Sequence, residues 1–72
     1  MDLIEHTTDE PLRREEAAER LRALADELAR HNEVSFEREG IRYTVDVPDQ
    51  VRFKLEIEVG DDGSEIEVEL SW

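Results

Sequence analysis

Residues 65–72 read Glu-Ile-Glu-Val-Glu-Leu-Ser-Trp and alternate without a break between polar and apolar side chains. Successive side chains of an extended chain point to opposite faces, so Ile66, Val68, Leu70 and Trp72 share one face and Glu65, Glu67, Glu69 and Ser71 the other. The segment is therefore a half-buried β-strand with an acidic outer face. Three more segments alternate in the same way, Val34 to Arg38, Ile41 to Val47 and Val51 to Val59. Turn chemistry separates them. Glu39-Gly40 suits a two-residue hairpin, because glycine accepts the positive φ such turns require, and it sets Phe36 opposite Tyr43 and Val34 opposite Val45. Pro48-Asp49-Gln50 makes a second reversal, with Val45 opposite Phe53 and Tyr43 opposite Leu55. Gly60-Asp61-Asp62-Gly63 makes the third and sets Ile57 opposite Ile66, Leu55 opposite Val68 and Val51 opposite Trp72.

These registers also align charges on the polar face: Glu37 with Arg42, Arg42 with Glu56, Asp46 with Arg52, and Lys54 with Glu69. Opposite charges across a strand pair contribute roughly 0.2 to 1 kcal/mol each. Only the last hairpin breaks the pattern, with Glu56 facing Glu67 and Glu58 facing Glu65.

Before the strands, Ala17, Ala18, Leu21, Leu24, Ala25 and Leu28 recur at helical spacing and predict one amphipathic helix over residues 12–31. Asp9, Glu10 and Pro11 suit its entrance, and Arg30 and His31 its exit. The expected fold is α+β: an antiparallel β-meander of four to five strands over residues 34–72, with the helix packed on one face. Residues 1–72 make a single domain, opened by an arm at 1–9. Four strands span about 15–19 Å, whereas a helix with its side chains covers ~10–12 Å, so an apolar strip is left over. The arm, through Leu3 and Ile4, can lie along that strip as a fifth strand, and a second copy of the chain can cover it. A homodimer is expected, with Trp72, Leu70, Val68, Ile66, Leu3 and Ile4 as core or interface anchors. A domain of 72 residues buries only about 60% of its unfolded surface, which makes outside help valuable.

Charge narrows the function classes. The chain has 21 acidic and 9 basic residues, of which one, Lys54, is lysine, and residues 56–72 contain no base at all. That surplus argues against direct binding to nucleic acid or an anionic membrane, since both depend on lysine and arginine to neutralise phosphate. The acidic surface, centred on Glu56, Glu58, Glu65, Glu67 and Glu69, has three competing explanations: a halophilic cytoplasm whose cations screen self-repulsion, docking of a basic partner, and nucleic-acid mimicry. Scarce lysine favours the first. With no cysteine, and with only His6 and His31, neither a disulfide framework, a metal centre nor a cofactor is expected. No apolar run reaches ~20 residues and the N-terminus lacks the pattern of a signal peptide, so a cytoplasmic protein is expected.

Catalysis is not expected. Ser35 and Ser71 fall on the polar strand face, Ser64 lies at a turn, and neither histidine is linked to them, so no nucleophile has a base. Asp61-Asp62-Gly63 lacks the ligand spacing of a calcium loop. Trp72 has two readings: core packing at the end of the last strand, or an anchor inserted into a partner.

The helix Arg14-Glu15-Glu16-Ala17-Ala18-Glu19-Arg20-Leu21-Arg22-Ala23-Leu24-Ala25-Asp26-Glu27-Leu28, then Val45-Asp46-Val47-Pro48, then the acidic alternating strand closing on Trp72, together resemble the amphi-Trp domain family. The resemblance covers residues 12–72. It implies a compact α+β fold and a salt-loving archaeal source, and it implies no known reaction. The function expected is that of a small acidic interaction module, homodimeric; the alternative is an acidic regulator that binds a basic protein surface or mimics nucleic acid.

Overall fold

The computed structural model describes residues 4–72. Residues 4–13 form no regular element. They are followed by helix α1 (Arg14–Arg30), then strands β1 (Glu33–Arg38), β2 (Ile41–Asp46), β3 (Arg52–Val59) and β4 (Ser64–Ser71). The class is α+β, but the strands form two separate antiparallel hairpins, β1–β2 and β3–β4, and not one meander.

Helix α1 is two residues shorter than the pattern at its start and one shorter at its end. Arg13 is the residue before the first turn, with extended backbone, and its N–H donates to Glu16 Oε1 at 3.1 Å. Half of a capping box therefore replaces the serine or threonine cap that the sequence lacks. At the other end the His31 N–H donates to Glu27 O at 2.9 Å and the backbone turns extended into β1. The helix lies beside β1, where Leu24, Glu27, Val34 and Ser35 line the crevice between them.

Both hairpins have the expected internal registers. Glu39 and Gly40 carry φ of 53° and 77°, the two positive values of a type I′ turn, and Phe36 faces Tyr43 while Val34 faces Val45. In the second hairpin Ile57 faces Ile66, Leu55 faces Val68 and Lys54 faces Glu69.

What does not form is the β2–β3 ladder that would set Val45 opposite Phe53, Tyr43 opposite Leu55, Arg42 opposite Glu56 and Asp46 opposite Arg52. Hydrogen-bond phase explains the failure. Just outside the Glu33–Asp46 pair, Val47 N–H donates to Asn32 O at 2.6 Å, so the pairs that exchange bonds within β1–β2 are Val34–Val45, Phe36–Tyr43 and Arg38–Ile41. Arg42, Thr44 and Asp46 consequently turn their N–H and C=O groups to the free edge. Just outside Val59–Ser64, Gly60 N–H donates to Gly63 O at 3.0 Å, which puts the bonded pairs of the second hairpin at Glu58–Glu65, Glu56–Glu67, Lys54–Glu69 and Arg52–Ser71. Glu56 and Arg52 thus bond towards β4 and have nothing to offer Arg42 and Asp46. The two hairpins share an amphipathic pattern but have opposite phase, so an antiparallel β2–β3 pair with a common apolar face would need a bulge.

The second hairpin stands apart: no Cα of β3 or β4 comes within 8 Å of α1, β1 or β2. No described residue is fully buried. Half-buried positions gather mainly where α1 meets the first hairpin, at Ala18, Glu27, Leu28, Val34, Ser35, Phe36 and Tyr43.

The arm also departs from expectation. Ile4 is exposed and belongs to no strand, and Leu3 lies outside the described residues, so no fifth strand is seen among the described residues. Residues 5–10 instead fold back on the helical half. The His6 ring stacks on Phe36 with centroids 4.6 Å apart, Arg38 Nη1 donates to Glu5 O at 3.2 Å, and Glu10 pairs with Arg20.

Candidate functional site: the open face of the second hairpin

Alternation places Phe53, Leu55, Ile57 and Val59 of β3 with Ile66, Val68 and Leu70 of β4 on one face. In a single chain that face has almost no cover. Phe53 is 62% exposed, Ile57 64% and Ile66 71%, and only Leu70 is half-buried. A two-stranded hairpin is at best marginally stable in water by itself. Fully burying one such side chain is worth about 1.5–3 kcal/mol, so leaving this set in solvent forfeits most of what its sequence offers.

Trp72 follows the last strand residue and is 63% exposed. It borders an open depression with Asn32, Val47, Pro48 and Asp49, at the junction between the hairpins. The expected anchors therefore separate in space: Ile66, Val68 and Leu70 belong to the hairpin face, Trp72 to the junction, and Ile4 to the arm.

The opposite face of the hairpin is charged. Glu56 faces Glu67 and Glu58 faces Glu65, as the pattern required. The Lys54 ammonium lies opposite Glu69 in register, yet its ion pair is with Glu56 of its own strand, at 3.5 Å. Among the described residues the other ion pairs are Arg20–Glu10 and Arg14–Glu15, both in the helical half. Glu65, Glu67 and Glu69 project along β4 with no base bonded to them among the described residues.

Chemistry-bearing groupings are scarce. Among the described residues no three histidine, cysteine or acidic side chains are placed to hold a metal ion. Ser35 and Ser64 have no histidine hydrogen-bonded to them, while His6 is engaged with Phe36. No described helix is long and apolar enough to cross a membrane.

Sequence reasoning recovered the hairpin face and its charges but missed two features. One is the His6–Phe36–Tyr43 stack, in which the Phe36 and Tyr43 centroids lie 5.4 Å apart. No local pattern announces a contact between residues thirty positions apart. The other is the phase of the two hairpins: a four-residue loop can close on a bonded or a non-bonded pair, and it is the Gly60–Gly63 bond that makes Val59–Ser64 a non-bonded pair.

No curated protein and no solved structure matches the chain. A family model, that of the Amphi-Trp domain, matches residues 3–72, nearly the whole length. The match takes in the helix, the Val-Pro junction and the acidic strand closing on tryptophan, and the chain belongs to the amphi-Trp domain family.

Proposed function

We propose that the protein is a homodimeric, non-enzymatic interaction module of a halophilic cytoplasm. The observation that carries this reading is the open apolar face of β3–β4, on a chain without one fully buried residue among those described. Exposed apolar patches of this kind mark association surfaces. The acidic surplus of the chain supports the salt-rich setting, because concentrated cations screen repulsion between like-charged copies.

Solution mass measured by light scattering from ~0.1 to 3 M salt tests it. Apolar association persists or strengthens in molar salt. A dimer that holds at high salt and loosens at low salt supports the module; a well-folded monomer throughout contradicts it.

A second reading draws on Glu65, Glu67 and Glu69, which form an acidic stripe without basic partners among the described residues. Such a stripe suits docking to a basic protein surface, in competition with nucleic acid. Binding of that kind weakens steeply as salt rises, which is opposite to the first reading.

A further inference from the structure

We infer that two copies join through the free edges of β3, antiparallel about a twofold axis at Leu55, to give one four-stranded sheet with a β4 at each outer edge. This rests on the homodimeric reading above and adds to it the joining edge and the register; the sheet so formed sets the two open apolar faces side by side.

Three observations carry it. The first is hydrogen-bond phase. Phe53, Leu55 and Ile57 direct their N–H and C=O groups away from β4, to an edge that no other described strand occupies. The free edge of β2 presents its polar residues in that phase and cannot match. A second β3 can, because an antiparallel strand paired with itself brings residues of equal phase together and keeps both apolar faces on one side.

The second is charge order. The outer positions of β3 read Arg52, Lys54, Glu56, Glu58. With Leu55 on the axis, Arg52 faces Glu58 of the second copy and Lys54 faces Glu56 of the second copy. Both fall at non-bonded positions, where opposed side chains lie closest. A shift of two residues either way sets Lys54 on Lys54 or Glu56 on Glu56. A shift of one turns the apolar set of one copy to the polar face of the other. The self-complementary register is thus singled out, and the contact is isologous, as a twofold dimer requires.

The third is the contrast with β4. Its outer positions are Glu65, Glu67 and Glu69, so self-pairing there sets glutamate against glutamate. Edge acids of this kind oppose strand addition, which leaves β3 as the edge of the hairpin built to pair.

Strand β2 has a weaker version of the same property, since Arg42 would face Asp46 about an axis at Thr44, over six residues instead of eight. The test separates the two. The chain has no cysteine, so an introduced one reports without background. A bonded antiparallel pair has Cα atoms about 5.5 Å apart, within reach of a disulfide. Leu55→Cys and Thr44→Cys chains are oxidised under native conditions and run unreduced, while light scattering gives the mass of the unaltered protein. The expected result is a dimer by scattering, with Leu55→Cys forming a covalent dimer many times faster than Thr44→Cys. A charge exchange probes the register without touching the apolar face. Glu58→Arg weakens the dimer by roughly tenfold at low salt, and Arg52→Glu with Glu58→Arg restores it. A dimer that crosslinks through Thr44→Cys, or through neither, or that ignores the charge exchange, overturns the β3 interface while leaving the homodimer standing. A monomer by scattering removes the homodimeric reading itself.

Discussion

Glu56 stands opposite Glu67 across the β3–β4 hairpin, and the nearest base to that pair, Lys54, reaches Glu56 along its own strand at 3.5 Å. Glu58 and Glu65 repeat the opposition one step nearer the turn. The hairpin with the most exposed apolar face is therefore also the one with the most internal repulsion.

That opposition predicts where low salt acts first. Screening at ~0.1 M reaches about 10 Å and at 1 M about 3 Å, so adjacent carboxylates repel fully only in dilute buffer. On dialysis to low salt, amide exchange in β3–β4 accelerates before that in β1–β2. Slower exchange there at low salt would refute the assignment. Glu67→Lys raises stability at low salt by about 0.2–1 kcal/mol and much less at 3 M, measured by urea unfolding.

The first turn offers a simple gain. Glu39 has a φ of 53°, in the left-handed region that costs a glutamate but not a glycine, and that asparagine tolerates well. Glu39→Asn stabilises the first hairpin by about 0.5–1 kcal/mol, while Gly40→Ala, at φ 77°, loses a similar amount although the space around it is open. Paired denaturant melts decide both. No change in either variant would mean that this turn is not formed in solution.

One of the three contacts that hold the arm is aromatic. His6 stacks on Phe36, which in turn stacks on Tyr43. Aromatic pairs of this kind are worth about 0.5–1.5 kcal/mol beyond the area they cover. His6→Ala should release residues 4–10 to proteolysis with the helical circular dichroism unchanged, whereas Phe36→Ala should also lower the melting temperature. Equal protease resistance in His6→Ala and the unaltered chain would show that the arm is held by the Arg38–Glu5 and Arg20–Glu10 contacts alone.

Much of this architecture is legible from residues 34–72. Strict alternation names the strands, and Glu39-Gly40 and Gly60 to Gly63 set both hairpin registers, down to the facing glutamates. The joint at Pro48 is where the pattern misleads. Apolar alternation has period two and says which face a side chain takes, but not which edge its backbone groups serve. Val45 and Phe53 can share a face in pattern while their hydrogen bonds are out of phase. The helix boundary at Arg13 was equally hidden, because Glu16 does the capping from inside the helix. Of the candidate site, the acidic set was readable in order. Trp72 was not, since its place beside Asn32 and Pro48 depends on how the second hairpin leaves the first.

The most direct test of the β3 interface is residue-resolved amide exchange on the unaltered protein at two concentrations, in high salt. In a single chain the N–H groups of Phe53, Leu55 and Ile57 point to an open edge, as do those of Ile66, Val68 and Leu70 on the other side of the hairpin. The β3 interface predicts that the first three become protected as concentration rises while the second three stay fast. Exchange that remains fast at Phe53, Leu55 and Ile57, or protection that appears on the β4 edge instead, would contradict it.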